Sequence, residues 1–116
     1  VRRVHSLPQK PGDDPYYPYK LPSLLQDAGV LFCLDMEGDM EAMNARNLPF
    51  LAGEAAGFGL TKEEAVQSIT LSAAKILGID KSYGSLEAGK QATLFISEGD
   101  ALDMRTNNVI YGWIDG

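Results

Sequence analysis

The chain is poor in the residues that most often carry metal or redox chemistry: its 116 residues include one histidine, one cysteine and one tryptophan. A single cysteine, Cys33, can form no internal disulfide and no CxxC zinc site. A single histidine, His5, means that a histidine-rich metal centre would have to be completed from outside the chain. Long apolar runs are missing too. The longest, residues 30–34, is five residues, against the ~20 that a membrane-spanning helix needs. No basic segment followed by an apolar one opens the chain, so the opening does not read as a secretory signal. Positive charge is scarce, with 10 Lys and Arg against 16 Asp and Glu and a formal net charge of −6. Without a basic stripe to neutralise phosphates, nucleic acid is not an expected partner. Disorder is equally unexpected, because 45% of the residues are apolar.

Acidity is concentrated in the middle of the chain. Between positions 21 and 60, Arg46 alone stands against Asp27, Asp35, Glu37, Asp39, Glu41 and Glu54. The chain opens Val-Arg-Arg, without methionine and within a strand-like stretch, so it is expected to be a piece of a longer protein. Residues 8–18 follow, with Pro8, Pro11, Pro15 and Pro18 interrupting any helix or central strand. A loop of this length often serves as a lid or binding loop. Its tyrosines, Tyr16, Tyr17 and nearby Tyr19, read as packing groups rather than as a ligand cage.

An alternation of helix and strand signals comes next. Residues 21–28 read as a short helix with Pro22 in its first turn, where the missing N–H costs nothing, and Gly29 as its stop. Residues 30–34 are apolar on both faces, as in a strand of a buried parallel sheet, and Cys33 within it reads as inert core. A helix leading directly into such a strand is half of an α/β unit. Asn47 is placed to cap a second helix, with Leu48, Leu51, Ala52, Ala55 and Phe58 at helical spacing and Gly53 and Ala56 keeping its surface slim. Thr61-Lys-Glu-Glu64 is a capping box that opens a helix over residues 62–77. Its apolar stripe is Ala65, Val66, Ile69, Ala73, Ile76 and Leu77, and Gly78 ends it. Beyond Ile79 the period changes. Residues 85–89 read as a turn, and 92–97 and 108–114 as strands, too few to stand alone.

Asp35-Met-Glu37-Gly-Asp39-Met-Glu41 sets four carboxylates at alternating positions directly after the apolar strand, on one face if the backbone is extended. In α/β folds, ligands bind beyond the carboxyl ends of the strands. A carboxylate there can act as general base or hold a divalent metal. A solvated acidic loop explains the same pattern, and periodicity alone does not separate the two. Other matches are weaker. Gly84-Ser-Leu-Glu-Ala-Gly89-Lys90-Gln91 nearly fits a phosphate loop, but Gln91 lacks the metal-binding hydroxyl and a strand follows instead of a helix. Gly57-Phe-Gly59 is explained as a helix terminus.

The order of these pieces resembles the C-terminal third of a metal-dependent amidohydrolase of the imidazolonepropionase-like branch. The stretches that carry the likeness are Ala28-Gly-Val-Leu-Phe-Cys-Leu34, Arg46-Asn-Leu-Pro49 and Gly59-Leu-Thr-Lys-Glu-Glu-Ala65. The most specific are Ile69-Thr-Leu-Ser-Ala-Ala-Lys-Ile-Leu-Gly78 and Gly84-Ser-Leu-Glu-Ala-Gly-Lys-Gln-Ala92. The resemblance implies an α/β fold: the last strand and closing helices of a (β/α)₈ TIM barrel over residues 1–79, and part of a composite β-sandwich over 80–116. It implies hydrolysis of C–N bonds in cyclic amides, amides or amidines, a small-molecule substrate, and a divalent metal of the zinc or iron class in the intact protein. The family pattern A-G-V-x-x-A-L-G-T-D sets its proton-handling Asp on Glu37 when aligned without gaps. Glu37, Asp35 and Asp39 are therefore the expected catalytic carboxylates, Glu37 also the expected metal ligand, and His5 a site-lining residue. The family's early His-x-His pair has no counterpart here, so this chain alone is expected to bind no catalytic metal and to be inactive. Thr93 stands where the family pattern has Asp. A homo-oligomer, or association with the rest of the barrel, is the expected assembly. A non-enzymatic binding or assembly module derived from such a barrel is the alternative.

Overall fold

The computed structural model describes residues 10–36 and 43–116. Four helices come first: α1 (Tyr17–Asp27), α2 (Leu48–Gly57), α3 (Lys62–Ile69) and α4 (Leu71–Leu77), with a 3₁₀ turn, Ala45–Asn47, leading into α2. A two-stranded antiparallel sheet follows, β1 (Leu94–Glu98) and β2 (Asn108–Trp113).

α1 begins four residues before the expected Leu21. Asp14 explains the early start: its carboxylate accepts the Tyr16 amide at 2.9 Å and the Lys20 ammonium at 2.7 Å, and its carbonyl accepts the Tyr17 amide. Pro18 takes the first-turn place, and Pro22 lies inside the helix, buried. Tyr16 and Tyr19 pack against Phe58 at ring separations of 5.9 and 5.0 Å, so these tyrosines close α1 onto the end of α2 and form no cage.

α2 matches its expected span, but Asn47 makes no side-chain cap bond. At Thr61 the capping box forms in full. The Thr61 hydroxyl accepts the Glu64 amide at 3.2 Å, and the Glu64 carboxylate accepts the Thr61 amide at 2.8 Å. The expected single helix over 62–77 is two helices, broken at Thr70 (φ −126°, ψ −91°). In α4 Ala74 is buried where Ala73 was expected to be, and Ile76 and Leu77 are exposed; on α3 Val66 is exposed as well. Gly78 ends α4 at φ 71°, a left-handed conformation that side chains with a Cβ resist.

Residues 30–34 depart most from expectation. They join no ladder with other described residues, although Asp35, which follows, takes part in a β-bridge, and Val30 and Leu31 are 48% and 55% exposed. A parallel strand draws its hydrogen bonds from neighbours on both sides, and no such neighbour lies among the described residues. Phe32 and Leu34 are nonetheless buried, whereas Cys33 is only half-buried rather than in the core.

The core consists of Phe32, Leu34, Ala52, Ala55, Leu60, Ala65 and Leu102. Three of these are alanines, which lets α2 and α3 approach closely at the cost of apolar volume. Leu102, in the segment between the strands, anchors the hairpin to α2. Gly53 makes this approach possible, because a Cβ there would overlap the Leu102 carbonyl. β1 and β2 pair Leu94 with Trp113 and Ile96 with Tyr111, then Ser97 with Val109, so a bulge skips Ile110. Thr93, in the place of the family's Asp, accepts the Asp115 amide on its hydroxyl at 3.2 Å and so ties the two ends of the hairpin.

Candidate functional site

Asp35 is the one expected site residue among those described. Glu37, Asp39 and His5 lie outside them. Asp35 follows immediately after Leu34 at the end of the extended segment and is half-buried. Its backbone position is set from two sides. Phe32 and Leu34 insert their side chains into the core, and the Leu34 amide donates to the Ser68 carbonyl of α3 at 3.2 Å. The carboxylate thus stands at the rim of the packed helices.

Beside it opens a cleft of about 540 Å³ whose lining includes Met36, Phe50, Leu51 and Glu54 on one side and Leu102 and Met104 on the other. Glu54 is the acidic group of α2 that lines this cleft together with Met36. The sequence marks Glu54 only as one of several acidic residues between positions 21 and 60, with no local motif to set it apart. A second cleft, of about 400 Å³, lies between α3, Gly84-Ser85 and residues 100–102. Lys62 and Asp100 line it as an ion pair. Each reinforces the other's charge: the hydrogen bond from Lys62 holds the Asp100 carboxyl below its ordinary value, and Asp100 raises the Lys62 ammonium. Asp100 also accepts the Leu102 amide at 2.9 Å, so the pair is accounted for by the anchoring of Leu102.

The resemblance implies a divalent metal, and its fit can be tested on the donors present. Among the described residues no three His, Cys, Asp or Glu side chains gather where they could hold a metal ion. The described residues therefore do not assemble a metal centre by themselves. The near phosphate loop is a turn into β1: Glu87 accepts from Ser85 and Lys90 within the loop itself, and these bonds hold its carboxyl below the ordinary value. Among the described residues no helix is long and apolar enough to cross a membrane.

Residues 20–116 match the amidohydrolase family. The chain belongs to the amidohydrolase family. Over 35 residues it is 60% identical to imidazolonepropionases of Shewanella frigidimarina (strain NCIMB 400) and Pseudomonas paraeruginosa (strain DSM 24068 / PA7). Each alignment covers 30% of this chain, and 8% and 9% of the two relatives respectively. The crystal structure of an amidohydrolase from Thermotoga maritima MSB8 superposes with a TM-score of 0.73 at 27% identity, over 90% of this chain and 27% of that one. This amidohydrolase chain is therefore imidazolonepropionase-like, and it spans well under two thirds of the length of the proteins it matches. Its arrangement of helices and a two-stranded sheet is that of the corresponding part of the solved amidohydrolase.

Proposed function

We propose that this chain is the closing part of a hydrolase that cleaves C–N bonds in cyclic amides, amides or amidines. The observation that carries the reading is the amidohydrolase match over residues 20–116, together with the position of Asp35 at the end of an extended segment anchored in the core. In this reading residues 1–79 supply the last strand and closing helices of a (β/α)₈ barrel. Residues 80–116 supply part of a composite β-sandwich, to which the change from helices to a hairpin after Leu77 corresponds.

The chemistry asked of the chain is proton handling. A carboxylate at the mouth of the barrel takes a proton from the attacking water and delivers one to the departing nitrogen. Asp35, Glu37 and Asp39 are the groups assigned to it, with His5 lining the same end. The family generally works with a divalent metal. The family's early His-x-His pair has no counterpart in this sequence, so the 116-residue chain by itself is inactive in this reading and works only joined to the remainder of the barrel.

The test joins this chain to the family's full length and follows hydrolysis of a panel of cyclic amides that includes an imidazolone. Asp35→Asn, Glu37→Gln and Asp39→Asn are each compared with the unsubstituted protein. At least one should lower kcat by a hundredfold or more, within the range of general acid–base catalysis. Full activity in all three would overturn the assignment. Zinc binding together with turnover by the 116 residues alone would refute the claim that the chain is inactive by itself.

A further inference from the structure

We propose that the helix break at Thr70 is a positioning device for Asp35: it releases the Ser68 carbonyl to hold the Leu34 amide, one residue before the carboxylate. The proposal deepens the reading above and rests on it for the chemical role of Asp35.

In an uninterrupted α-helix each carbonyl accepts the amide four residues on. The Ser68 carbonyl would then belong to Ser72 and would be turned along the helix axis. At Thr70 the backbone leaves the helical region. The Thr70 hydroxyl donates to the Val66 carbonyl at 2.7 Å, taking the place its own amide would hold in a continuing helix. That amide donates instead to the Gln67 carbonyl at 3.2 Å. Ser68 back-bonds in the same way, its hydroxyl donating to the Ala65 carbonyl at 2.7 Å. Back-bonding by Ser and Thr side chains bends helices; here two such bonds fall within three residues and α3 ends. α4 restarts at once, with the Ala74 amide donating to the Thr70 carbonyl at 2.9 Å.

The last turn of α3 is thereby served by side chains, and the Ser68 carbonyl turns sideways to accept the Leu34 amide at 3.2 Å. Ser68 and Leu34 are 2% and 3% exposed. At such burial an unmade backbone hydrogen bond is costly, so the pairing is strongly enforced. It matters because Leu34 leads directly into Asp35, so whatever fixes the Leu34 backbone also sets where the carboxylate starts. A straight helix would reclaim the Ser68 carbonyl and leave the buried Leu34 amide without its acceptor. Thr70 and Ser68 are positioning residues in this account, acting on Asp35 through the backbone of Leu34.

Hydrogen–deuterium exchange of the barrel-completed protein, read by mass spectrometry on peptides covering 30–36 and 48–57, tests the proposal. Thr70→Val keeps the shape and removes the hydroxyl. It should accelerate exchange in 30–36 about tenfold and leave 48–57 unchanged, while Thr70→Ser should keep the native rates. Unchanged exchange in 30–36, equal acceleration in both peptides, or acceleration in the serine variant as great as in the valine variant overturns the proposal. If the valine variant fails to fold, Thr70→Ala is read by the same criteria. Kinetics separate this outcome from failure of the functional reading. Thr70→Val should lower kcat about tenfold with KM unchanged, and serine should restore it. A loss in Asp35→Asn without a loss in Thr70→Val overturns the positioning role. Full activity in Asp35→Asn removes Asp35 from the reaction, and exchange alone then decides whether the break holds the segment.

Discussion

Gly53 and Leu102 bring α2 and the segment between the strands into close approach. Because a Cβ at position 53 would overlap the Leu102 carbonyl, Gly53→Ala should force α2 and residues 100–102 apart. Overpacking of this kind costs about 1–3 kcal/mol, which a lowered urea midpoint would report. Leu102→Ala attacks the same contact from the other side. Leu102 is 8% exposed and belongs to the core, so truncation should destabilise by about 2–5 kcal/mol. Thr61 and Glu64 offer a third test. The amide and hydroxyl of Thr61 both donate to the Glu64 carboxylate and hold it below the ordinary glutamate value. A group with a lowered folded value stabilises above its unfolded value and loses that contribution as pH falls through the folded one. Urea midpoints measured from neutral pH downward should therefore fall. Glu64→Gln, which can still complete a capping box, should flatten that slope without abolishing it, since Asp14, Glu87, Asp100 and Asp103 are lowered too. Thr61→Ala should cost about 1 kcal/mol at neutral pH and should also flatten the slope, because the hydroxyl bond to the Glu64 carboxylate is lost with it.

At the scale of elements, the hairpin hangs on one segment. Asp100 pairs with Lys62 on α3 and accepts the Leu102 amide, which seats Leu102 on α2. Asp100→Ala should lower the thermal midpoint more than Lys62→Met, because it removes the amide acceptor as well as the ion pair. Equal midpoints by circular dichroism would show that the Leu102 amide bond contributes nothing. The helices themselves were largely legible. The spacing of apolar residues located α2, the capping box located the start of α3, and Gly78 located the end of α4. The break between α3 and α4 was not, because Ser68 and Thr70 are compatible with a helix interior and only their hydroxyl bonds to Ala65 and Val66 interrupt it. The early start of α1 was hidden because Pro18 read as an interruption and Pro22 as the first-turn proline, whereas Pro18 takes the first turn.

The whole molecule leaves much apolar surface uncovered. Phe95, Ile96, Val109, Tyr111 and Trp113 on the hairpin are exposed, as are Val30 and Leu31 on the extended segment. Exposed apolar surface on this scale marks a face that is covered in the working protein, and strand edges without partners invite pairing with other chains. The 116-residue chain alone should self-associate in sedimentation velocity at micromolar concentration, and addition of the remaining barrel should suppress it. A sharp monomer peak alone would contradict this.

The candidate site was legible as a stretch of acidic residues after an apolar run, and the resemblance assigned roles within it. Asp35 is the part of it that the described residues contain. The sequence by itself determined what depends on neighbours within a few positions: the capping box at Thr61, the glycine stop at Gly78, the turn into β1 and the membership in a family whose motifs are local strings. Tertiary structure alone decided where Asp35 sits, that Glu54 lines a cleft beside it, and that residues 30–34 take the Ser68 carbonyl as an acceptor. These depend on contacts between positions tens of residues apart. Their energies come from burial and from hydrogen-bond partners that only the folded chain brings within reach.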